Sequence, residues 1–229
     1  MPILLILGAG LLMLAIFAPQ WWVRRTLERH QAERTDFPGT GAELARHLLD
    51  EAGLQDVKLE ATAPNQDHYD PVERVVRLSP VHHDGRSIAA VAVAAHEVGH
   101  AVQHARGEAL FNWRGRLVKL LIWADWAAMG AAILVPILGA LSRHPAVIIA
   151  NIAVIVMLLA LRVIVHLVTL PVEIDASFGK ALPVLERGGY LGEDDMPAAR
   201  QVLKAAAYTY MAAALVSLLD FARLIRIGR

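Results

Sequence analysis

The chain has 229 residues, of which 56% are hydrophobic, and its mean hydropathy is +0.44. This composition is too apolar for a typical soluble domain and indicates a membrane protein. Acidic and basic side chains balance at 22 each, which excludes a bulk positive charge for nucleic-acid binding. Cysteine is absent, so disulfides and thiolate zinc ligands are excluded, whereas ten histidines leave imidazole available as a metal ligand.

The chain begins with an uncharged apolar segment, Pro2–Val23, which ends in Trp21 and Trp22 and is followed by two arginines. A helix needs about 20 apolar residues to cross a bilayer, and tryptophan followed by arginine is typical of the membrane interface. A cleaved signal peptide is the alternative, but the basic start of such a peptide is missing. We therefore predict a transmembrane anchor at residues 1–23.

Residues 24–116 form a polar segment with the pattern of a small α+β domain. We predict helices at Thr40–Glu51 and Ser87–Ala105, and strands at Val57–Ala61 and Val72–Leu78. The Val72–Leu78 strand could lie at a sheet edge and pair with an extended peptide, or it could be an ordinary strand inside the sheet.

Two long apolar segments, Leu120–Leu141 and Pro145–Leu170, follow a short distance apart. They predict a transmembrane helical hairpin across residues 117–170. A second polar segment, 171–204, then precedes a C-terminal apolar segment, 205–229, which we predict to be a fourth span or a buried helix. The expected fold is mainly α: an integral membrane protein of three to four transmembrane helices with a small α+β zincin-like domain.

The sequence His96-Glu97-Val98-Gly99-His100 matches the pattern H-E-x-x-H. Residues four apart share one face of a helix, so both imidazoles can bind one zinc ion, and Glu97 can act as general base toward a zinc-bound water. With this composition, about 0.02 such matches would arise by chance. The alternative is a buried helix whose histidines and glutamate bond only to one another, which would be costly among alanine and valine.

A catalytic zinc commonly has three protein ligands, so a third ligand is expected downstream. The sequence after the third apolar segment places Glu173 and Asp175 close together, and we predict Glu173 as the ligand and Asp175 as a residue that orients a ligand. Both could instead cap the next helix. His104 could contact a ligand or substrate, or lie on the surface, and Tyr210 is a weak candidate to stabilise the oxyanion.

The predicted topology constrains how these residues meet. His96 precedes the second span and Glu173 follows the third, so a hairpin would return the chain to the same membrane face. The first polar segment holds the larger excess of arginine and lysine, so the positive-inside rule predicts a cytoplasmic site in a multi-pass membrane protein. Within the spans, we expect Asp125 to pair with Arg162.

Several stretches resemble one bacterial family, the membrane-bound neutral zinc metallopeptidases or YugP-like proteins. The resemblance lies in Asp67–Pro71, Val76–Ser79, Ser87–Gln103 and Leu170–Ser177. It implies a gluzincin-type zinc site with His96, His100 and a downstream glutamate, most naturally Glu173, in a protein of the bacterial inner membrane. The chain is also similar in outline to membrane CAAX-type and heat-shock metalloproteases, which have an aspartate four residues after the ligand glutamate. Ser177 occupies that position here.

The predicted function is hydrolysis of peptide bonds by a membrane-anchored zinc endopeptidase that acts on peptide or protein substrates beside the lipid bilayer. An intramembrane site-2-type protease is one alternative, although Asp220 fits the ligand pattern of that class poorly. A second alternative is a zinc-containing membrane scaffold or chaperone without catalysis, in which a fourth protein ligand would close the metal site. A transporter using Asp125, Arg162 and His166 is a third.

Overall fold

The computed structural model describes residues 18–142 and 145–208 of the chain, and these residues are mainly helical with one small sheet. Tyr210 and most of the first and fourth predicted apolar segments lie outside the described residues. In chain order the elements are α1 (18–29), α2 (Gly41–Glu51), β1 (Lys58–Ala61), β2 (His68–Asp70), β3 (Val75–Leu78), α3 (Pro80–His83), α4 (Ile88–Ala105), α5 (Ala109–Ser142), α6 (Pro145–Ile174), a π-helical segment (Asp175–Ala181), α7 (Leu182–Gly188) and α8 (196–208).

The three strands form a mixed sheet in the order β1-β3-β2, with β3 parallel to β1 and antiparallel to β2. The structure confirms a strand within Val72–Leu78 but places it at the centre, where Val75, Val76 and Leu78 are fully buried. Because both edges of β3 are already paired, the hypothesis that this strand binds a peptide along its edge is wrong. Strand β2 was not predicted, because three residues are too few to show an alternating pattern.

Helix α4 lies at the centre of the fold, packed by α2, α3, the sheet and the π-helical segment. The Ser87 hydroxyl accepts a hydrogen bond from the Ala90 N–H and so caps its first turn, as Ser and Thr commonly do. Most of its side chains are small and buried, which lets neighbouring elements approach the helix axis closely. At Gly99 an added Cβ would lie only 2.8 Å from the backbone oxygen of Ala176. Glycine is therefore required where the π-helical segment crosses α4.

Helices α5 and α6 pack against each other and carry the predicted pair, since Arg162 Nη2 donates to Asp125 Oδ1 at 2.8 Å. Many large apolar side chains on these helices face outward, including Trp123, Trp126 and Leu167. One helical stretch of the described chain, Ala153–Gly188, is long and apolar enough to cross a membrane by length and composition. It overlaps the third predicted span, and the remaining spans stay predictions.

After its apolar part, α6 continues past Pro171 and widens into the π-helical segment, which packs on α4. Proline has no N–H to donate to the preceding turn, and π-helical turns occur frequently at functional sites. This geometry returns the chain from the α5–α6 hairpin to the centre of the domain and sets Glu173, at the end of α6, against the motif helix.

Candidate metal centre

Three side chains that are distant in sequence meet at one buried point. His96 Nε2 and His100 Nε2 lie 3.2 and 3.3 Å from the same oxygen of Glu173, Oε2. The exposed fractions of the three residues are 4%, 5% and 1%. Among the described residues, they form a group whose candidate ligand atoms all lie within 4.8 Å of one another. The two histidines come from successive turns of α4, and the carboxylate comes from the end of α6.

The hydroxyl of Ser177 determines which nitrogen of the His96 ring carries the proton. Ser177 Oγ lies 2.9 Å from His96 Nδ1 and 3.0 Å from the carbonyl oxygen of Leu203. A carbonyl can only accept, so the serine's one proton goes to Leu203, and Ser177 Oγ must accept from His96 Nδ1–H. In a neutral ring this leaves His96 Nε2 without a proton and with its lone pair toward Glu173.

The side-chain amide of Gln103 determines in the same way which nitrogen of the His100 ring carries the proton. Gln103 Nε2 donates to the Val172 carbonyl at 2.9 Å and to Asp175 Oδ2 at 2.8 Å, so the amide oxygen must face the histidine. Gln103 Oε1 accepts from His100 Nδ1 at 2.9 Å, which turns the lone pair of His100 Nε2 inward. Asp175 therefore reaches the site through Gln103, and Lys180 Nζ donates to Asp175 Oδ2 at 2.5 Å.

The arrangement of these donors fits a divalent metal ion. Two imidazole lone pairs and a carboxylate oxygen at 3.2 to 3.3 Å would repel one another unless positive charge lies between them. Two imidazolium ions could supply that charge, but their ring centroids would be 4.7 Å apart in a buried site. One cation bound to His96, His100 and Glu173 satisfies all three atoms at once, and two imidazoles with one carboxylate form a zinc ligand set.

The electrostatics of Glu173 agree with its role as an ionised ligand. Burial by itself would raise the pKa of this carboxyl, but positive charge at His100 and His96 outweighs burial and holds the pKa well below its usual range; with both rings neutral, a cation bound between them would supply that charge. Arg114 on α5 adds a further positive charge, since its Nη2 lies 3.3 Å from Glu173 Oε1. The carboxylate therefore stays ionised at neutral pH.

Glu97 lies beside this group and is itself only 6% exposed. Burial raises its pKa to about 7; Glu173 and Asp67 act in the same direction, whereas His96 and Arg114 oppose them. A carboxylate whose pKa lies near neutrality exchanges protons efficiently at physiological pH. The chemistry that Glu97 can perform is therefore proton transfer next to the three-residue group.

His104 lies one turn beyond His100 on α4, outside the three-residue group. Its Nδ1 is 2.8 Å from the hydroxyl of Tyr69, and its ring stacks on Phe111 at a centroid distance of 5.6 Å. The Phe111 ring also lies beside the ring of His100, with their centroids 6.1 Å apart. His104 thus belongs to an aromatic cluster next to the site and is not a plain surface histidine.

Three residues of this site were not assigned a role by the sequence: Ser177, Gln103 and Arg114. Gln103 follows His100 by three positions and so shares its helix face, which could have predicted the contact. Ser177 stood out only as a departure from related proteases. No sequence signal marks Arg114, because its approach to Glu173 depends on how α5 packs.

Comparison with known proteins gives two matches. A model of the family described as "Putative neutral zinc metallopeptidase" matches residues 4–229. A curated relative, "Putative membrane protease YugP" of Bacillus subtilis (strain 168), is 37% identical over 212 residues, covering 92% of this chain and 90% of that protein. No solved structure matches the chain.

Proposed function

This chain belongs to the neutral zinc metallopeptidase family, and we propose that it hydrolyses peptide bonds with zinc held by His96, His100 and Glu173. The observation that carries the proposal is the orientation of both imidazoles, whose Nδ1 atoms are engaged by Ser177 and Gln103 so that both Nε2 atoms face Glu173 Oε2. With His96 and His100 as two ligands and the downstream Glu173 as the third, the site that we propose is of the gluzincin type.

Each residue of the site has a separate role in the proposed hydrolysis. Zinc, when bound, supplies a water of lowered pKa, near 7, and polarises the substrate carbonyl. Glu97 accepts the proton of the attacking water and then holds it for the departing amine. His96 and His100 keep their orientation through Ser177 and Gln103, and Asp175 fixes the amide of Gln103.

Substitution of Glu97 by glutamine tests this assignment. The amide keeps the shape of the side chain but cannot accept a proton, so we expect peptide cleavage to fall at least about a hundredfold while bound zinc remains. Glu186→Gln is the matched control, because Glu186 is exposed and its ion pair among the described residues is with Arg200. Cleavage by the Glu97→Gln variant at the wild-type rate would contradict the mechanism.

The number of protein ligands separates this peptidase from a zinc-containing scaffold. A structural zinc has four protein ligands, whereas a catalytic zinc keeps a position for water. Among the described residues, the group of candidate ligands has three members, His96, His100 and Glu173. This count supports catalysis and leaves a position for the attacking water.

We further propose that the enzyme is a multi-pass membrane protein with its site on the cytoplasmic side. Support for the membrane comes from the apolar stretch Ala153–Gly188, from the outward-facing tryptophans of α5, and from the relative named a membrane protease. Support for the side comes from the larger excess of arginine and lysine in residues 24–116. Side chains such as Trp123 and Trp126, which are 75% and 65% exposed, are more compatible with lipid than with water. Single cysteines can be labelled on intact cells with a thiol reagent that does not cross the membrane, which establishes the side on which each lies. Labelling of Arg86→Cys by this reagent from outside the cell would contradict a cytoplasmic site.

A further inference from the structure

Arg114 contacts the candidate metal centre from a part of the chain that supplies none of the proposed ligands. It lies in the first turns of α5, before the apolar part of that helix, and its Nη2 is 3.3 Å from Glu173 Oε1. The side chain of Arg114 is 21% exposed, whereas that of Glu173 is 2% exposed. A cation at the rim of the site therefore faces a fully buried carboxylate.

The two oxygens of Glu173 have different surroundings. Oε2 faces both histidine Nε2 atoms. Oε1 is buried and, in the part of the chain that the structure describes, accepts no hydrogen bond, so its charged neighbour is the Arg114 guanidinium. A buried carboxylate oxygen without any compensating partner is costly, and the guanidinium offsets that cost on this oxygen alone.

We propose that Arg114 is a positioning residue that keeps Glu173 a one-oxygen ligand. The guanidinium holds Oε1 away from the metal and leaves Oε2 as the binding atom. The inference rests on the proposed function, in which His96, His100 and Glu173 hold zinc. A carboxylate that binds through one oxygen leaves a tetrahedral position for water, whereas binding through both would add a fifth bond.

The experiment compares three variants of the full-length protein in detergent: Arg114→Gln, Arg114→Lys and Arg116→Gln. Arg116 is the matched control, since it lies two residues further along α5 and covers the ring of Trp113. Zinc affinity is measured by competition with a chelator, and coordination is read from the visible absorption of the cobalt-substituted protein. Neither measurement depends on peptidase activity.

We expect Arg114→Gln to weaken zinc binding about tenfold, the lower end of the effect of residues that orient metal ligands. The cobalt bands should change from the intense four-coordinate form toward the weaker five-coordinate form. Arg114→Lys, which keeps the charge but loses the planar fork, should fall between Arg114→Gln and the wild type. Arg116→Gln should match the wild type. If Arg114→Gln does not fold, the intermediate behaviour of Arg114→Lys carries the same test.

A wild-type zinc affinity and cobalt spectrum in Arg114→Gln would overturn the inference, as would an equal loss in Arg116→Gln. The variant Glu173→Gln separates this inference from the proposed function. Normal zinc binding by Glu173→Gln would refute the ligand set itself. Impaired binding by Glu173→Gln together with normal binding and spectrum in Arg114→Gln would refute only the role of Arg114.

Discussion

At the scale of single residues, the centre depends as much on the partners of the ligands as on the ligands. Ser177 and Gln103 each accept a hydrogen bond from one histidine Nδ1–H, and each is fixed by donating a further hydrogen bond to a backbone carbonyl. Partners of this kind set the tautomer and raise the basicity of the ligand. Ser177 therefore lies directly behind a proposed metal ligand.

Substitution of Ser177 by alanine should weaken zinc binding about tenfold, because His96 Nδ1–H would lose its acceptor and its ring would lose its orientation. Chelator competition measures the change in the dissociation constant. Thr169→Val is the control, since the Thr169 hydroxyl is also buried and its bond within the described part of the chain goes to the carbonyl of Val165. A Ser177→Ala protein that binds zinc within twofold of the wild type would show that the serine has no part in orienting the ligand.

The structure brings the three predicted ligands together, whereas several of the contacts around them were not predicted from the sequence. The spacing of His96 and His100 places them on one helix face, and Glu173 was selected because it follows the predicted hairpin. Asp175 was predicted to orient a ligand or to cap the next helix, and in the structure it bonds to Gln103 and Lys180. Contacts of this type depend on the packing of two elements, which no local pattern encodes.

At the scale of secondary structure elements, the contact between α4 and the π-helical segment sets the distance between the histidines and Glu173. Helix α4 and the two longer strands, β1 and β3, could be predicted from the periodicity of apolar residues and from caps such as Ser87. The π-helical segment could not be predicted, because its residues have no pattern that differs from that of an α-helix. It widens the chain directly after Glu173 and brings Ser177 against α4.

Substitution of Gly99 by alanine should destabilise the protein by about 1–3 kcal/mol, because the new Cβ would overpack the crossing. It would meet Ala176 O at 2.8 Å and Ala176 Cα at 3.3 Å, and backbone cannot move aside as a flexible side chain can. Zinc affinity should fall as well, since Ser177 is adjacent to Ala176 and Glu173 lies three residues before it.

Gly115→Ala is the control for this change. Gly115 lies in helix α5, and an added Cβ there would have no neighbour within 4 Å. The same substitution should be neutral or stabilising by up to about 1 kcal/mol, because alanine favours the helix. Thermal unfolding in detergent compares the two variants, and equal effects would contradict the proposed role of the α4 crossing.

At the scale of the whole molecule, a polar domain is joined to the apolar helical hairpin that α5 and α6 form. The Asp125–Arg162 pair lies among outward-facing apolar side chains, and both members are about half exposed. The sequence predicted this pair from the cost of single charges in lipid. Sequence and composition alone cannot say how many helices cross a bilayer, because length and hydropathy do not distinguish a span from a buried helix.

Substitution of Arg162 by leucine tests whether the hairpin lies in lipid. An exposed ion pair in water contributes about 0–1 kcal/mol, whereas a lone charge at the centre of a membrane helix costs about 2.5–3.5 kcal/mol. We expect Arg162→Leu to lower the free energy of unfolding in bilayer nanodiscs by about 2–3 kcal/mol. The double variant Asp125→Leu/Arg162→Leu should recover most of the loss. A change below about 0.5 kcal/mol in the single variant would argue that the pair lies in water.

The central claim is that His96, His100 and Glu173 hold one zinc ion. An anomalous difference map at the zinc absorption edge, from a crystal of the purified protein, tests it most directly. We expect a single strong peak in bonding contact with His96 Nε2, His100 Nε2 and Glu173 Oε2. Absence of the peak from zinc-saturated crystals, or a peak bound to other side chains, would contradict it.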